Sequence, residues 1–148
     1  MKKTGIMAAL TLLITVSVRA QDYKMGLGVR LSSSAPIVNN SVSLKYFFNQ
    51  STAVETLLSF GDPIALGMLI EKHKPLSKAG FTYYYGGGGF VGFTSPAPAG
   101  LQGVLGLDYK FPTIPFNLSL DWKPEINFTP DFSFEPAALG ISARFTLK

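Results

Sequence analysis

The sequence contains no cysteine, one histidine and one tryptophan among its 148 residues. Without cysteine, neither disulfide bonds nor thiol chemistry can operate. A lone histidine, without a companion cluster of carboxylates, falls short of the ligand count of a zinc site. We therefore predict no metal site, no cofactor and no cofactor-binding residue.

Charge and long hydrophobic runs are also scarce. Charged residues make up 15% of the chain, against about 25% in ordinary domains, while hydrophobic residues make up 47%. Beyond the N-terminal segment, no continuous apolar run reaches the roughly twenty residues of a transmembrane helix. The apolar residues must therefore alternate with polar ones, which is the composition expected of a membrane β-barrel.

The first twenty residues have the organisation of a secretion signal. Two lysines follow the first methionine, Gly5–Val16 is apolar, and Val18–Ala20 approximates a small-x-small cleavage site. We predict that residues 1–20 are a signal peptide and that residues 21–148 form one outer-membrane β-barrel domain. An uncleaved N-terminal anchor is the alternative, whereas the lack of cysteine excludes a lipoprotein anchor.

Cleavage of this signal changes the charge balance. It would remove three of the thirteen basic residues and leave ten basic and nine acidic residues. The basic character of the whole chain therefore belongs largely to the signal. Because nucleic-acid binding relies on a basic patch, we predict no nucleic-acid partner.

The segment Phe116–Glu125 alternates between apolar and polar residues without an exception. The apolar parity comprises Phe116, Leu118, Leu120, Trp122 and Pro124. The polar parity comprises Asn117, Ser119, Asp121, Lys123 and Glu125. Successive side chains of a strand point to opposite faces, so the segment predicts a strand with one apolar and one charged face. About ten residues is also the length of a tilted strand that crosses a bilayer.

Eight segments carry this pattern, separated by turn signals. They are Tyr23–Ser32, Ser41–Phe48, Thr52–Phe60, Ile64–His73, Phe81–Phe93, Leu101–Phe111, Phe116–Glu125 and Ala137–Lys148. Sharing residues 21–148 among eight strands gives 16 residues for each strand with its connection, which suits short turns. The prediction is an all-β fold, an eight-stranded antiparallel up-and-down transmembrane β-barrel.

No charge falls mid-strand on the apolar parity. We predict a charge network in the barrel lumen, formed by Arg30, Lys45, Glu55, Glu71, Asp108, Asp121, Lys123, Glu125 and Arg144. Lys24 and Lys110 belong to the same parity. The interior of an eight-stranded barrel is just wide enough for side chains to fill, and buried charges need partners. We therefore expect a self-paired network rather than a pore.

Parity alone does not decide which face is inside. A soluble, lipocalin-like barrel would place the charged parity outside and the apolar parity inside. Three features favour the membrane version. The charge total is low, the apolar parity carries the bulky residues while the other carries glycine and serine, and aromatic residues such as Tyr46, Trp122 and Phe145 lie towards strand ends, as interfacial girdles do.

Two local features invite a functional interpretation. Gly87–Gly92 matches the pattern G-x-G-x-x-G, but a dinucleotide site needs a helix after it, whereas a proline-rich loop follows here. Glycines in a strand instead allow bending and close backbone approach. His73 is predicted to lie at the periplasmic rim beside Lys72 and Lys74, with a lipid-modifying enzyme as the less favoured interpretation.

The stretch Gly106–Glu125, together with Leu69–His73 and Tyr84–Phe90, resembles small outer-membrane β-barrel proteins of the Bacteroidetes type, a porin-like outer-membrane β-barrel family. The resemblance covers most of the chain after the signal. It implies an eight-stranded up-and-down barrel with its N-terminus in the periplasm. One departure is Lys148, because such barrels commonly end on an aromatic residue that the barrel assembly machinery reads.

These observations predict an integral outer-membrane protein with a structural or surface-interaction role and no catalytic residues. The expected partners are outer-membrane lipid and the barrel assembly machinery, and the sequence does not identify an extracellular or periplasmic protein partner. Specific binding is expected at three loops, Ser32–Asn40, Ser95–Gly100 and Thr129–Pro136. The alternatives are a narrow channel for small solutes, a soluble periplasmic binding barrel and, less favoured, a lipid-modifying enzyme.

Overall fold

The computed structural model describes residues 23–33 and 37–148, so the predicted signal peptide lies outside the described residues. The regular structure of the described chain consists of β-strands. No helix in this part of the chain is long and apolar enough to cross a membrane.

Ten strand segments form one continuous antiparallel sheet. They are β1 (Met25–Ser32), β2 (Ser41–Phe47), β3 (Thr52–Ser59), β4 (Ala65–Pro75), β5 (Phe81–Gly92), β6 (Ala99–Lys110), β7 (Phe116–Trp122), β8 (Glu125–Thr129), β9 (Ser133–Glu135) and β10 (Leu139–Leu147). Consecutive segments pair from β1 to β6, and β1 also pairs with β10. Because β7 lies between β6 and β10, the sheet closes on itself as an eight-stranded antiparallel barrel.

The seventh strand of the barrel comprises β7 and β8, which keep one register against β6 as far as Asn127, with a shift between Gly100 and Ala99. Trp122 lies opposite Leu105 on β6, and Glu125 lies opposite Gln102. Pro124 lies between β7 and β8 and has no N–H to donate to the ladder, yet its carbonyl still accepts from the Gly103 amide at 3.0 Å.

The eighth strand comprises β9 and β10, with one extra residue between them. Trp122 lies opposite Leu139, whereas Glu125 lies opposite Glu135. Such an insertion bends a strand locally. The prediction that Thr129–Pro136 is entirely loop is therefore wrong. Ser133–Glu135 forms β9, which pairs with β8, so the connection between them has only three residues, 130–132.

The barrel has two distinct ends. The terminal end holds Tyr23, the C-terminus and the short connections 48–51, 76–80 and 111–115. The loop end holds the connections 33–40, 60–64, 93–98 and 130–132. Every connection joins neighbouring antiparallel strands, as the up-and-down order predicted from the sequence requires.

The charged parity faces the interior and the apolar parity faces outwards. Arg30 and Glu55 are fully buried, whereas Leu31 is 57% exposed and Ile70 is 62% exposed. This arrangement reverses the usual distribution in a water-soluble protein, in which charged side chains are almost never fully buried unless they are paired. The structure thus places the charged parity inside the barrel, which the alternation of the sequence did not decide.

Apolar side chains fill the interior at both ends. At the terminal end, Tyr23 packs against Phe47 beside Ala53. From the middle to the loop end, a second cluster comprises Val38, Leu57, Ala65, Leu69, Tyr84, Phe90 and Val104. Val38 belongs to the connection between β1 and β2 and has no exposed surface, so part of the predicted Ser32–Asn40 binding loop folds into the barrel.

Glycines make room for the largest interior side chains. A Cβ at Gly140 would lie 2.2 Å from Nη2 of Arg30, and a Cβ at Gly106 would lie 2.4 Å from the ring of Tyr84. Real Cβ atoms do not approach other atoms so closely. Small residues opposite large ones therefore allow an arginine and a tyrosine to lie across a narrow interior.

Candidate functional site

All nine residues predicted for the charge network point into the barrel. Each of them has at most 2% of its surface exposed. They are Arg30, Lys45, Glu55, Glu71, Asp108, Asp121, Lys123, Glu125 and Arg144. The alternation of the strands brings them to one side of the sheet. Four cations and five carboxylates thus share one enclosed volume, where burial is costly unless charges are paired or hydrogen-bonded.

Glu55 on β3 is the central carboxylate of this network. Its Oε1 atom accepts a hydrogen bond from Nη2 of Arg144 on β10, and its Oε2 atom lies 3.5 Å from Nζ of Lys123. The Ser43 hydroxyl donates to Oε1 at 2.6 Å. Both carboxylate oxygens are therefore held, by groups that come from different sides of the barrel.

Arg144 spreads its guanidinium over several polar partners. Its Nε atom donates to the Ser43 hydroxyl at 2.8 Å. Its Nη1 atom donates to the Ser119 hydroxyl at 2.8 Å and to the side-chain Oδ1 atom of Asn117 at 3.3 Å. The fixed fork of donors in arginine suits this role, because several acceptors can be satisfied at once.

Arg30 and Asp121 form the second ion pair, nearer the loop end. Nη2 of Arg30 donates to Oδ1 of Asp121 at 2.6 Å, and Nε donates to Oδ2 at 3.3 Å. The Tyr84 hydroxyl donates to Oδ2 at 3.2 Å. A bidentate arginine–carboxylate contact of this kind fixes geometry as well as charge.

Glu71 organises the third group, nearer the terminal end. Its Oε2 atom lies 2.8 Å from Nζ of Lys45 and 2.9 Å from Nε2 of His73. The Lys45 ammonium also lies 4.3 Å from the centre of the Tyr84 ring, a cation–π distance. The aromatic ring thereby supplements the single carboxylate as a partner for the lysine.

His73 lies inside the barrel, so its predicted position at the periplasmic rim is wrong. β4 continues to Pro75, which leaves His73 within the strand and on the same inward parity as Glu71. Its ring is fully buried, stacks on Tyr84 at 4.8 Å and has Nδ1 4.0 Å from Oδ2 of Asp108. The histidine is thus part of the interior network rather than a neighbour of the exposed Lys72 and Lys74.

Glu125 differs from the other interior carboxylates in its partner. Its Oε1 atom accepts the backbone N–H of Val38 at 3.2 Å. Its Oε2 atom is buried without a hydrogen-bond partner among the described residues. Glu125 therefore holds the inserted β1–β2 connection in the mouth of the barrel.

Lys24 and Lys110, which share the charged parity in the sequence, do not join the interior network. Lys24 precedes β1 and is exposed, with Nζ 5.8 Å from the centre of the Tyr46 ring. Lys110 is the last residue of β6, and its Nζ donates to the carbonyls of Phe111 at 2.6 Å and Ile114 at 2.9 Å. At a strand end, a long side chain can leave the direction that alternation assigns to it.

The interior also contains side chains that the sequence pattern did not single out. Tyr23 precedes β1, is 4% exposed and has its hydroxyl 3.5 Å from Oδ2 of Asp108. Tyr84 is fully buried and crosses the interior. The available signal for Tyr84 was its parity, which it shares with Thr82 on the inward face of β5.

The glycine-rich motif is part of a strand rather than of a nucleotide-binding loop. Gly87–Gly92 lies entirely within β5, where a Cβ at Gly88 would lie 1.7 Å from the Met68 carbonyl oxygen. The motif therefore allows two strands to approach closely.

In the described part of the chain, no three histidine, cysteine or acidic residues are grouped so that they could hold a metal ion.

The comparisons with known proteins found no relative of this chain. No protein-family model matches the chain, and no curated protein or solved structure matches it either. The resemblance to small outer-membrane barrels of the Bacteroidetes type therefore stays a prediction. The fold is an antiparallel barrel of eight strands. Its interior is charged, with ion pairs that join different strands, and its exterior is apolar.

Proposed function

We propose that the protein is an integral outer-membrane β-barrel with a structural or surface-interaction role, and that side chains fill its lumen. The observation that carries this proposal is the inverted polarity of the barrel. Arg30, Lys45, Glu55 and Arg144 are fully buried, while leucine, isoleucine and phenylalanine side chains cover the outside. Lipid is the environment in which such an exterior is stable.

The exterior supports this environment in its details. Leu105, Leu120 and Ile141 lie mid-strand on adjacent strands and are each more than half exposed. A continuous apolar face of this kind exceeds what soluble monomers ordinarily present to water. A closed barrel also satisfies every ladder hydrogen bond internally, as a lipid environment demands.

Outward-facing charge is restricted to the margins of the strands. Lys72 and Lys74 lie on the outward face of β4 near the terminal end, and the exposed Asp62 and Asp131 lie in the connections at the loop end. An arginine or lysine that faces lipid at the bilayer midplane costs about 2–4 kcal/mol. The distribution therefore matches an apolar belt that is bounded by two polar margins.

Aromatic residues mark both margins of this belt. Around the terminal end, Tyr109 contacts Phe81 and Phe111, and Phe116 contacts Phe145. At the loop end, the exposed aromatic side chains are Phe60, Phe93, Phe128, Phe132 and Phe134. Two aromatic girdles at the height of the headgroups are typical of outer-membrane barrels.

The filled interior favours a structural role over conduction. Tyr23 and Phe47 occupy the terminal end, Val38 occupies the loop end, and the ion pairs of Glu55 and Asp121 lie between them. Surface interactions are then left to the connections at the loop end, which are short. Outer-membrane lipid and the barrel assembly machinery are the partners that this role implies.

Membrane fractionation followed by gel electrophoresis with and without boiling tests the proposal. We expect the protein in the outer-membrane fraction, resistant to carbonate extraction, with a gel mobility that changes on boiling as the barrel unfolds. Release into the soluble periplasmic fraction by osmotic shock, without a heat-dependent shift, would show that a soluble barrel is the correct interpretation. An altered lipid A mass spectrum that depends on His73 would instead identify a lipid-modifying enzyme.

A further inference from the structure

The charges outside the barrel interior are sorted by sign between the two ends. Among the described residues, the lysines that lie outside the interior are all at the terminal end. They are Lys24, Lys72, Lys74, Lys78, Lys110 and Lys148. The exposed or half-exposed carboxylates of the same residues are all at the loop end. They are Asp62, Asp131 and Glu135.

This separation leaves the six lysines, here called the basic collar, with no exposed side-chain carboxylate at their own end among the described residues. The interior does not neutralise the six lysines, because its four cations and five carboxylates leave a surplus of only one negative charge. In the side chains that the structure describes, one end of the barrel is therefore cationic and the other anionic. Such a field attracts a partner of opposite charge to each end.

The collar lies at the height of the aromatic girdle of the terminal end. Lys72 pairs in register with Tyr85, and Lys74 pairs with Tyr83. Both lysines are exposed on the outward face of β4, and Nζ of Lys72 donates to the Thr52 hydroxyl at 2.6 Å. A lysine in this position can lay its alkyl stem along the apolar belt and keep its ammonium among headgroups.

A cleft at the same end joins two collar lysines. It has a volume of about 340 Å³ and is lined by Lys110, Lys148, Thr113, Thr146 and Tyr23 together with residues of the 111–115 connection. The Lys110 ammonium donates hydrogen bonds to two backbone carbonyls. Because an ammonium has three N–H donors, one donor is left for a ligand. Two ammonium groups and the two threonine hydroxyls around one concave space form a suitable set of donors for a phosphate.

We propose that the basic collar binds the phosphate headgroups of anionic phospholipids in the leaflet around the terminal end, and that the cleft between Lys110 and Lys148 holds one of them. This inference rests on the proposed membrane location and adds a lipid class and a binding site to it. The loop end, which carries carboxylates instead, does not share this affinity. The protein thus distinguishes the two leaflets by charge.

Native mass spectrometry of the folded protein, released from detergent with added lipid, tests the proposal. The probes are phosphatidylglycerol and phosphatidylcholine of equal chain length. Each lysine near an anionic lipid surface contributes about a fivefold change in affinity. We therefore expect the wild type to retain phosphatidylglycerol preferentially, and a Lys110→Gln/Lys148→Gln variant to bind it at least fivefold more weakly.

Two comparisons separate this site from general charge effects. Asp62→Asn/Asp131→Asn changes the charge by the same magnitude, with the opposite sign, at the loop end and should leave lipid retention within twofold of wild type. A tenfold excess of inorganic phosphate should not displace the lipid, because the acyl chains contribute to its retention. Complete displacement by inorganic phosphate would overturn the proposal in favour of a site for free anions.

The remaining outcomes distinguish this inference from the proposed function. Equal retention of both lipids by a barrel that inserts into bilayers and shows a heat-dependent gel shift would refute the collar and leave the membrane location intact. Unchanged lipid preference in the folded Lys110→Gln/Lys148→Gln variant would refute the cleft. Failure of the protein to insert into bilayers of either lipid would refute the proposed function itself.

Discussion

Arg30 on β1 and Asp121 on β7 are joined by two hydrogen bonds that pass over Gly140 on β10. The bonds measure 2.6 Å and 3.3 Å, and Gly140 pairs in register with Asp121 on one side and with Ser32 on the other. A guanidinium fits across this strand only because Gly140 has no side chain. The ion pair thus links strands that are not neighbours in the sheet.

Gly140→Ala should destabilise the barrel by displacing the Arg30 guanidinium. The new Cβ would lie 2.2 Å from Nη2 and 2.4 Å from Cζ, and overpacking of this kind typically costs about 1–3 kcal/mol. Urea unfolding, followed by Trp122 fluorescence, measures the change. Gly103→Ala is the matched control. A Cβ at Gly103 would lie 3.7 Å from Cγ of Pro124, its nearest atom beyond the two adjoining residues, which is an ordinary van der Waals contact. Equal stability of the two variants would contradict this account of Gly140.

Arg30→Met should destabilise the protein more than a double replacement of the pair. Removing one partner of a buried ion pair costs about 3–5 kcal/mol, whereas replacing both partners by apolar residues is often nearly neutral. Arg30→Met leaves the Asp121 carboxylate with the Tyr84 hydroxyl as its remaining side-chain donor among the described residues. Arg30→Met/Asp121→Leu should therefore recover most of the lost unfolding free energy. A double variant as unstable as the single one would mean that Asp121 is not the source of the cost.

The alternation of residues predicted the barrel because it repeats one physical rule in every strand. A residue such as Glu55 or Asp121 lies within a regular strand, so its parity decides its face. The sequence could not decide which face is inside, since both a soluble and a membrane barrel obey the same alternation. The structure decides this by burying Arg144 and exposing Phe145.

The residues whose positions were not predicted from the sequence lie in two kinds of place. They lie where a strand's alternation ends, or where a run of similar residues obscures the alternation. Tyr23 precedes β1 and folds over the opening of the barrel, while Lys110 bends around a turn to reach backbone carbonyls. In the run Tyr83–Tyr85, composition is uniform, so only register separates the buried Tyr84 from its neighbours. The pairing of particular charges depends on strand tilt and three-dimensional register, which no local pattern contains.

Leu120→Arg should impair insertion of the barrel into bilayers. Leu120 lies mid-strand on β7, is 54% exposed and is flanked by the outward-facing Leu107 and Ile141. An arginine at the bilayer midplane costs about 2–4 kcal/mol, but only about 0–1 kcal/mol near the interface. Phe93→Arg, at the loop end, is the control. The heat-dependent gel shift after refolding into vesicles measures insertion, and a soluble barrel would tolerate both arginines equally.

Wild-type protein should be electrically silent in planar bilayers, because the interior is blocked at three levels. Tyr23 and Phe47 pack together at the terminal end, Arg144 spans the middle to Glu55, and Val38 fills the loop end. Truncation at one level, as in Phe47→Ala, leaves the other two in place and should also give no conductance. Discrete conductance steps in the wild type, altered in amplitude by Arg30→Met, would instead establish the narrow channel, since current would then pass the Arg30–Asp121 pair.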